Sequence, residues 1–121
     1  MATIERDAQG LIRIRVNEGA RLDVNGFKEI LETRRRLADG QPARVLASLP
    51  DDIDFEVQIM NVDHYAGVDA TSFTKAFAIV TQASLYTRLY QLYVAYFKPS
   101  FPVQVFPDEP SALRWLTEFA A

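Results

Sequence analysis

The chain has 121 residues, 49% of them hydrophobic and 24% charged, with a formal charge of −3. At roughly 100–200 residues per domain this is one folded unit over residues 1–121, and the small negative charge excludes a protein that coats duplex nucleic acid. No cysteine is present, which removes thiol nucleophiles, redox pairs and cysteine-ligated zinc and leaves any metal chemistry to carboxylates and one histidine.

The N-terminus carries charge by Glu5 and lacks the apolar stretch of roughly 7–15 residues that a signal sequence needs, so the expected location is the cytoplasm. No apolar run approaches the ~20 residues that span a bilayer, and no unit recurs at a fixed period. Leu11–Val16 alternates, with Ile12, Ile14 and Val16 on one face and Arg13 and Arg15 on the other, the period of a half-covered strand. Residues 3–6 are its expected antiparallel partner, joined through Asp7-Ala8-Gln9-Gly10.

Asp23 caps a predicted helix that aligns Phe27, Ile30, Leu31, Leu37 and Ala38, and Asp39-Gly40 supplies the stop. The run Arg34-Arg35-Arg36 invites a nucleic-acid reading. Glu29 and Glu32 lie within helical reach, however, and Glu32 precedes Arg36 by four residues, so the expectation is a solvated charged face. Val45–Leu49, between Pro42 and Pro50, has the apolar character of a strand buried on both sides. Ala76–Thr81 repeats it, and Phe101–Phe106 does so more weakly, with Pro102 suited to a sheet edge.

Between these strands, residues 50–75 place Asp51, Asp52, Asp54, Glu56 and Asp63 among the apolar anchors Phe55, Val57, Ile59 and Met60. A loop entering a helix after Asn61 is expected. Residues 84–98 read as a helix with Ser84 as its cap, and Asp108-Glu109-Pro110 opens a terminal helix that buries Leu113, Leu116, Trp115 and Phe119. Strands alternating with helices imply crossover units and hence an α/β fold with a largely parallel sheet.

Ala76-Phe77-Ala78-Ile79-Val80, Arg88-Leu89-Tyr90-Gln91-Leu92-Tyr93, Lys98-Pro99, Phe101–Phe106 and Ala112-Leu113-Arg114-Trp115-Leu116 together resemble the small bacterial SpoIIAA-like proteins, relatives in fold of the STAS anti-anti-sigma domains. The resemblance covers most strongly the last 45 or so residues, and the helix at 24–39 and the strand at 45–49 follow the same order. It implies a mixed sheet of four to five strands with about four helices, and a non-catalytic role in protein regulation or small-ligand binding. STAS regulators switched by a kinase keep a phosphorylatable serine at the helix entrance after the third strand. Here that place reads Ser48-Leu49-Pro50-Asp51-Asp52-Ile53-Asp54, with a fixed acidic patch and no hydroxyl at the loop tip.

In open α/β sheets ligands sit outside the carboxyl ends of the strands, which selects Pro50-Asp51-Asp52, Thr81-Gln82-Ala83-Ser84 and Phe106-Pro107-Asp108. No glycine-rich loop or Gly-x-Ser-x-Gly turn accompanies them, so neither phosphate cradling nor a serine triad is expected. His64, with Asp51, Asp52 and Asp54, is the only set that suggests a metal or acid–base centre, and its spacing matches no signature; neither a cofactor nor a metal is expected.

The helix at 84–98 is apolar around an unusually wide arc. Leu85, Leu89, Leu92 and Tyr96 form one flank, and Tyr86, Tyr90, Tyr93 and Phe97 another about 100° round. This width predicts a second covered surface, with the tyrosine flank and the acidic loop Asp51, Asp52 and Asp54 as interaction residues. A homodimer or another protein is one expected occupant; a small apolar or lipid-like ligand held between sheet and helix is the other. Lys75, Arg88 and Lys98, with no acid between Asp69 and Asp108, are too sparse for single-stranded nucleic acid.

Overall fold

The computed structural model describes residues 2–120. In chain order its elements are β1 (Ala2–Arg6), β2 (Ile12–Val16), β3 (Arg21–Leu22), α1 (Val24–Ala38), β4 (Ala43–Ser48) and β5 (Asp54–Phe55). They continue with β6 (Thr74–Val80), α2 (Ser84–Phe97), β7 (Val103–Phe106) and α3 (Glu109–Leu116). The main sheet runs β1-β2-β4-β6-β7. β1 and β2 form the antiparallel hairpin, with Ile4 opposite Ile14, and β2, β4, β6 and β7 are parallel. This is the mixed, mostly parallel α/β sheet expected from the alternation of strands and helices.

Local chemistry sets the boundaries. In the first turn the Asp7 carboxylate accepts from the backbone N–H groups of Gln9 and Leu11, and Gly10 takes a φ of +83° that a side chain would strain. Asp23 caps α1 by accepting from the Gly26 N–H, and Asp39 ends it in the left-handed region, with Gly40 following. Asp108 caps α3 through the Ser111 N–H. Ser84 does not cap α2. The helix begins after Ala83, whose N–H donates to Thr81 Oγ1, while Thr87 Oγ1 donates to the Ala83 carbonyl.

The two sheet faces are filled differently. On one, Leu46, Ala76 and Ala78 meet Ala112 and Leu116 of α3, with Leu11, Phe106, Leu113 and Trp115 around them. On the other, Val45, Phe77 and Ile79 join Ile12, Ile14 and Val16 beneath α1 and α2. Alanines on the α3 side let the helix backbone approach β6 closely, and large side chains on the other side keep α2 farther from the sheet.

Two features depart from the sequence expectations. No α-helix forms between Asn61 and β6; the segment is two 3₁₀ turns, Val57–Asn61 and Ala70–Ser72, joined by turns, so the α-helices number three among the described residues. Asp63 and Asp69 bind neighbouring groups, at the Tyr65 N–H and the Thr71 hydroxyl, and these local bonds compete with helical pairing. The second departure is a parallel pair, β3 with β5, too short to leave a periodic signal. Arg21 reinforces it by reaching Asp54 and Glu56.

The tight face generates a prediction. Ala78→Leu forces three more side-chain carbons under α3, and unfolding in urea is expected to show a loss of about 1–3 kcal/mol with an unchanged slope. Stability equal to the parent would show that α3 does not rest on β6 as described.

Candidate functional site

α2 carries its tyrosines inward. The Tyr86 hydroxyl donates to the Ile53 carbonyl at 3.0 Å, with the Asp51 carbonyl at 3.2 Å. The Tyr93 hydroxyl donates to the Val62 carbonyl at 3.0 Å and accepts from the His64 N–H at 2.9 Å. Burial pushes the Tyr93 hydroxyl up to about 12 and raises that of Tyr90 further. Both stay protonated and able to donate at any physiological pH. Phe97 packs against Tyr93 and Tyr96, with ring centroids 4.8 Å away in each case.

The flank expected to meet a partner therefore rests on the molecule's own irregular segment. Leu85, Leu92 and Tyr96 of the other flank face outward, with 62%, 63% and 80% of their surfaces exposed. Leu89 turns in with the tyrosines.

Because α2 stands off from the sheet, a chamber of about 100 Å³ lies beneath it. Ile14, Ala47, Phe77 and Ile79 form its floor, Phe27 and Ile30 of α1 one wall, and Tyr86, Leu89, Tyr90 and Tyr93 the roof. Its lining is almost wholly apolar, with one charged exception.

That exception is Arg34, which is 3% exposed. It does not sit on the solvated face expected for the Arg34-Arg35-Arg36 run; only Arg35 and Arg36 do. Its Nη1 donates to the Tyr65 hydroxyl at 2.9 Å and its Nη2 to Thr74 Oγ1 at 2.7 Å. The guanidinium carbon lies 4.7 Å from the Phe77 ring centroid, 5.6 Å from that of Phe73 and 5.9 Å from that of Tyr65. Nε is buried without a hydrogen-bond partner, and no carboxylate lies within ion-pair distance of the side chain among the described residues. Three aromatic faces and two hydrogen bonds offset part of the cost of desolvating this charge.

A register shift in the β4–β6 ladder contributes to the arrangement. Ala43 pairs with Thr74 and Arg44 with Ala76, so Lys75 is the additional residue of a bulge. Strict alternation would send Thr74 to the α3 face along with Ala76; the bulge delivers it to the α1 face, where Arg34 uses it.

His64 belongs to the same chamber. Its ring stacks on Phe27 at 4.5 Å and lies 5.6 Å from Tyr93, and Nε2 is 3.0 Å from the Ile59 carbonyl, which requires that nitrogen to carry the proton. Desolvation lowers its pKa, opposed by the Ile59 carbonyl and by Asp63 and assisted by Lys28. Asp51 and Asp52 line a different feature, so His64 does not share a cleft with them. Among the described residues no three metal-ligating side chains converge.

The three strand-end stretches selected by sequence do come together. Pro50, Asp51 and Asp52 after β4, Thr81 and Gln82 after β6, and Pro107 and Asp108 after β7 line one open cleft of about 540 Å³, joined by Glu18 and Glu109. Asp54 is exposed and pairs instead with Arg21. Arg13 fastens the cleft's rim by contacting Glu109 at 2.6 Å and Asp7 at 3.4 Å.

These features can be set beside known proteins. The family model for a domain of unknown function, DUF7793, matches residues 4–120. The chain belongs to that family. Its fold is SpoIIAA-like: a crystal structure of an uncharacterised DUF3478-family protein from Shewanella loihica PV-4, described as having that fold, superposes with a TM-score of 0.61. The two are 19% identical over 96% of this chain and 92% of the other, a likeness that establishes fold alone. No curated protein matches the sequence. No helix among the described residues is long and apolar enough to cross a membrane.

The half-buried His64 predicts a pH dependence. Its folded pKa lies below the ordinary 6.5, so between the two values the unfolded chain binds more protons and stability rises with pH. The contribution is complete above 6.5 and is lost as pH falls toward the folded value. Chemical denaturation at pH 7.5 and at about pH 5.5 should show a decline for the parent that is flattened in His64→Gln. Equal declines would assign the pH response elsewhere. Asp108 does not blur the comparison, because the Ser111 N–H and hydroxyl hold its carboxyl below the ordinary carboxylate value, outside this window.

Proposed function

We propose that this protein is a non-catalytic cytoplasmic binding module whose ligand is a small, mainly apolar molecule held between the sheet and the aromatic helix. The observation that carries the reading is the stand-off of α2, which leaves an apolar chamber bridged by Tyr86, Tyr90 and Tyr93. A helix needing only to cover a sheet gains most by close packing, as α3 does on its alanines. Ligand sites commonly enclose about 300–1,000 Å³, while an engineered cavity of about 150 Å³ accepts benzene. A chamber of about 100 Å³ therefore suits a body of a few carbons.

The SpoIIAA-like fold supports the non-catalytic part of this reading, as does the placement of His64 against aromatic rings, apart from the acids of the strand-end cleft. Ligand binding would alter the seating of α2 and, through the Tyr86 contact with the Ile53 carbonyl, the acidic segment around Asp51, Asp52 and Asp54. Such coupling suits a sensor that presents an acidic surface to a protein partner.

The chamber is tested by titrating 1-butanol into the protein and following the methyl resonances of Ile14 and Ile79. Saturable shifts are expected, with a rise in melting temperature as the alcohol is added. Ala47→Ile, which grows into the chamber floor, should weaken binding at least tenfold while leaving melting unchanged or higher. Absence of saturable shifts in the parent would sink the reading.

A second reading rests on Leu85, Leu92 and Tyr96. Their outward flank supports self-association into a homodimer, now through the leucine side of α2. Light scattering at micromolar concentration should then give twice the monomer mass for the parent and the monomer mass for Leu92→Glu. A monomeric parent removes the dimer.

A further inference from the structure

The chamber contains a charge that its apolar lining does not explain. Arg34 occupies the inward stripe of α1 between Leu31 and Ala38, with its guanidinium on the Phe77 ring, while Arg35 and Arg36 are exposed. A guanidinium has five N–H donors, and Tyr65 and Thr74 accept from two of them. Nε is without an acceptor, in a site where an unmet charged donor is costly. The supporting residues are specialised as well: Thr74 reaches Arg34 only because of the bulge at Lys75, and Tyr65 is held by its edge-on contact with Phe101, 5.2 Å between centroids.

We propose that Arg34 is the headgroup receptor of this chamber and that the ligand is a short monocarboxylic acid, bound with its carboxylate on the Nε edge of the guanidinium and its hydrocarbon body beneath α2. The inference rests on the chamber being a ligand site and adds the chemical class of what enters it. A carboxylate fits for three reasons. It is planar and matches the guanidinium fork. It supplies a negative charge that no carboxylate among the described lining residues provides. It also needs little room, whereas a phosphate with its three anionic oxygens would leave acceptors unmet against Ile30, Phe77 and Ile79. The Tyr90 hydroxyl, which lines the same chamber and makes no hydrogen bond among the described residues, is a neutral donor for the second carboxylate oxygen.

The experiment compares acids with alcohols of matched body: butanoate with 1-butanol, hexanoate with 1-hexanol, and benzoate with benzyl alcohol. Each is titrated into the full chain at pH 7.5 and followed by methyl resonances of the chamber and by the Arg34 Nε–H resonance. At least one acid should bind tenfold or more tightly than its alcohol and shift the Nε–H signal, which the alcohol leaves in place. Arg34→Met should erase the preference while keeping alcohol binding, and Tyr90→Phe should reduce it a few-fold. If Arg34→Met does not fold, the acid–alcohol ratio and the Nε–H shift in the parent still decide the matter. Equal binding of acid and alcohol, or acid binding with Nε–H unmoved, overturns the headgroup assignment and leaves the apolar chamber standing. Failure of every probe, acid and alcohol alike, overturns both.

Discussion

The architecture depends on one constraint, the unlike fillings of the two faces of β6. Ala76 and Ala78 point one way, Phe77 and Ile79 the other. The alanine face lets α3 settle directly on the sheet, so that side is a dense layer whose stability comes from contact and exclusion of water. The opposite face is too bulky and uneven for a second helix to lie equally close. α2 is consequently positioned by its own side chains, with Tyr86 and Tyr93 anchored to the carbonyls of the irregular segment. The chamber, the inward tyrosines and the exposed leucines all follow from that difference in spacing.

Within the looser layer, Arg34 links the helical and sheet frameworks. It extends from α1, bonds to Thr74 on β6 and to Tyr65 in the irregular segment, and lies on Phe77. A buried cation is a poor way to stabilise a core of hydrocarbon, since an aliphatic side chain of similar volume would fill the space without desolvating a charge. Among the described lining residues it is the one charged side chain of the chamber. His64 is the contrasting case, a titratable group kept neutral by its surroundings and used for its flat ring and its one donated hydrogen bond.

Much of this was legible in the chain. Ile12, Ile14 and Val16 announced their strand by alternation, Asp23 and Asp39-Gly40 bracketed α1, and the strand ends converged where the rule for open sheets places them. Three adjacent arginines look like surface, yet Arg34 lies inward. The signal was nonetheless there, since position 34 falls midway along the stripe from Leu31 to Ala38, three residues from one and four from the other. For α2, periodicity located two apolar flanks but not which would turn inward; that choice was made by hydrogen-bond acceptors at Ile53 and Val62, distant in sequence and invisible to any local pattern. The stretch from 57 to 72 resisted because its order comes from individual side-chain bonds, and the β3–β5 pair because two residues carry no period.

The uneven spacing of the two layers has a mechanical consequence. A void bounded by side chains is the part of a folded protein that compression removes most readily, and the volume released on unfolding grows with such space. Under hydrostatic loading the α3 half, already dense, has little to give up, whereas the half roofed by α2 can shrink only by abandoning its present seating. The molecule is thus built with a stiff side and a compliant side, and mechanical softness is concentrated on the same surface that faces the hydrocarbon space.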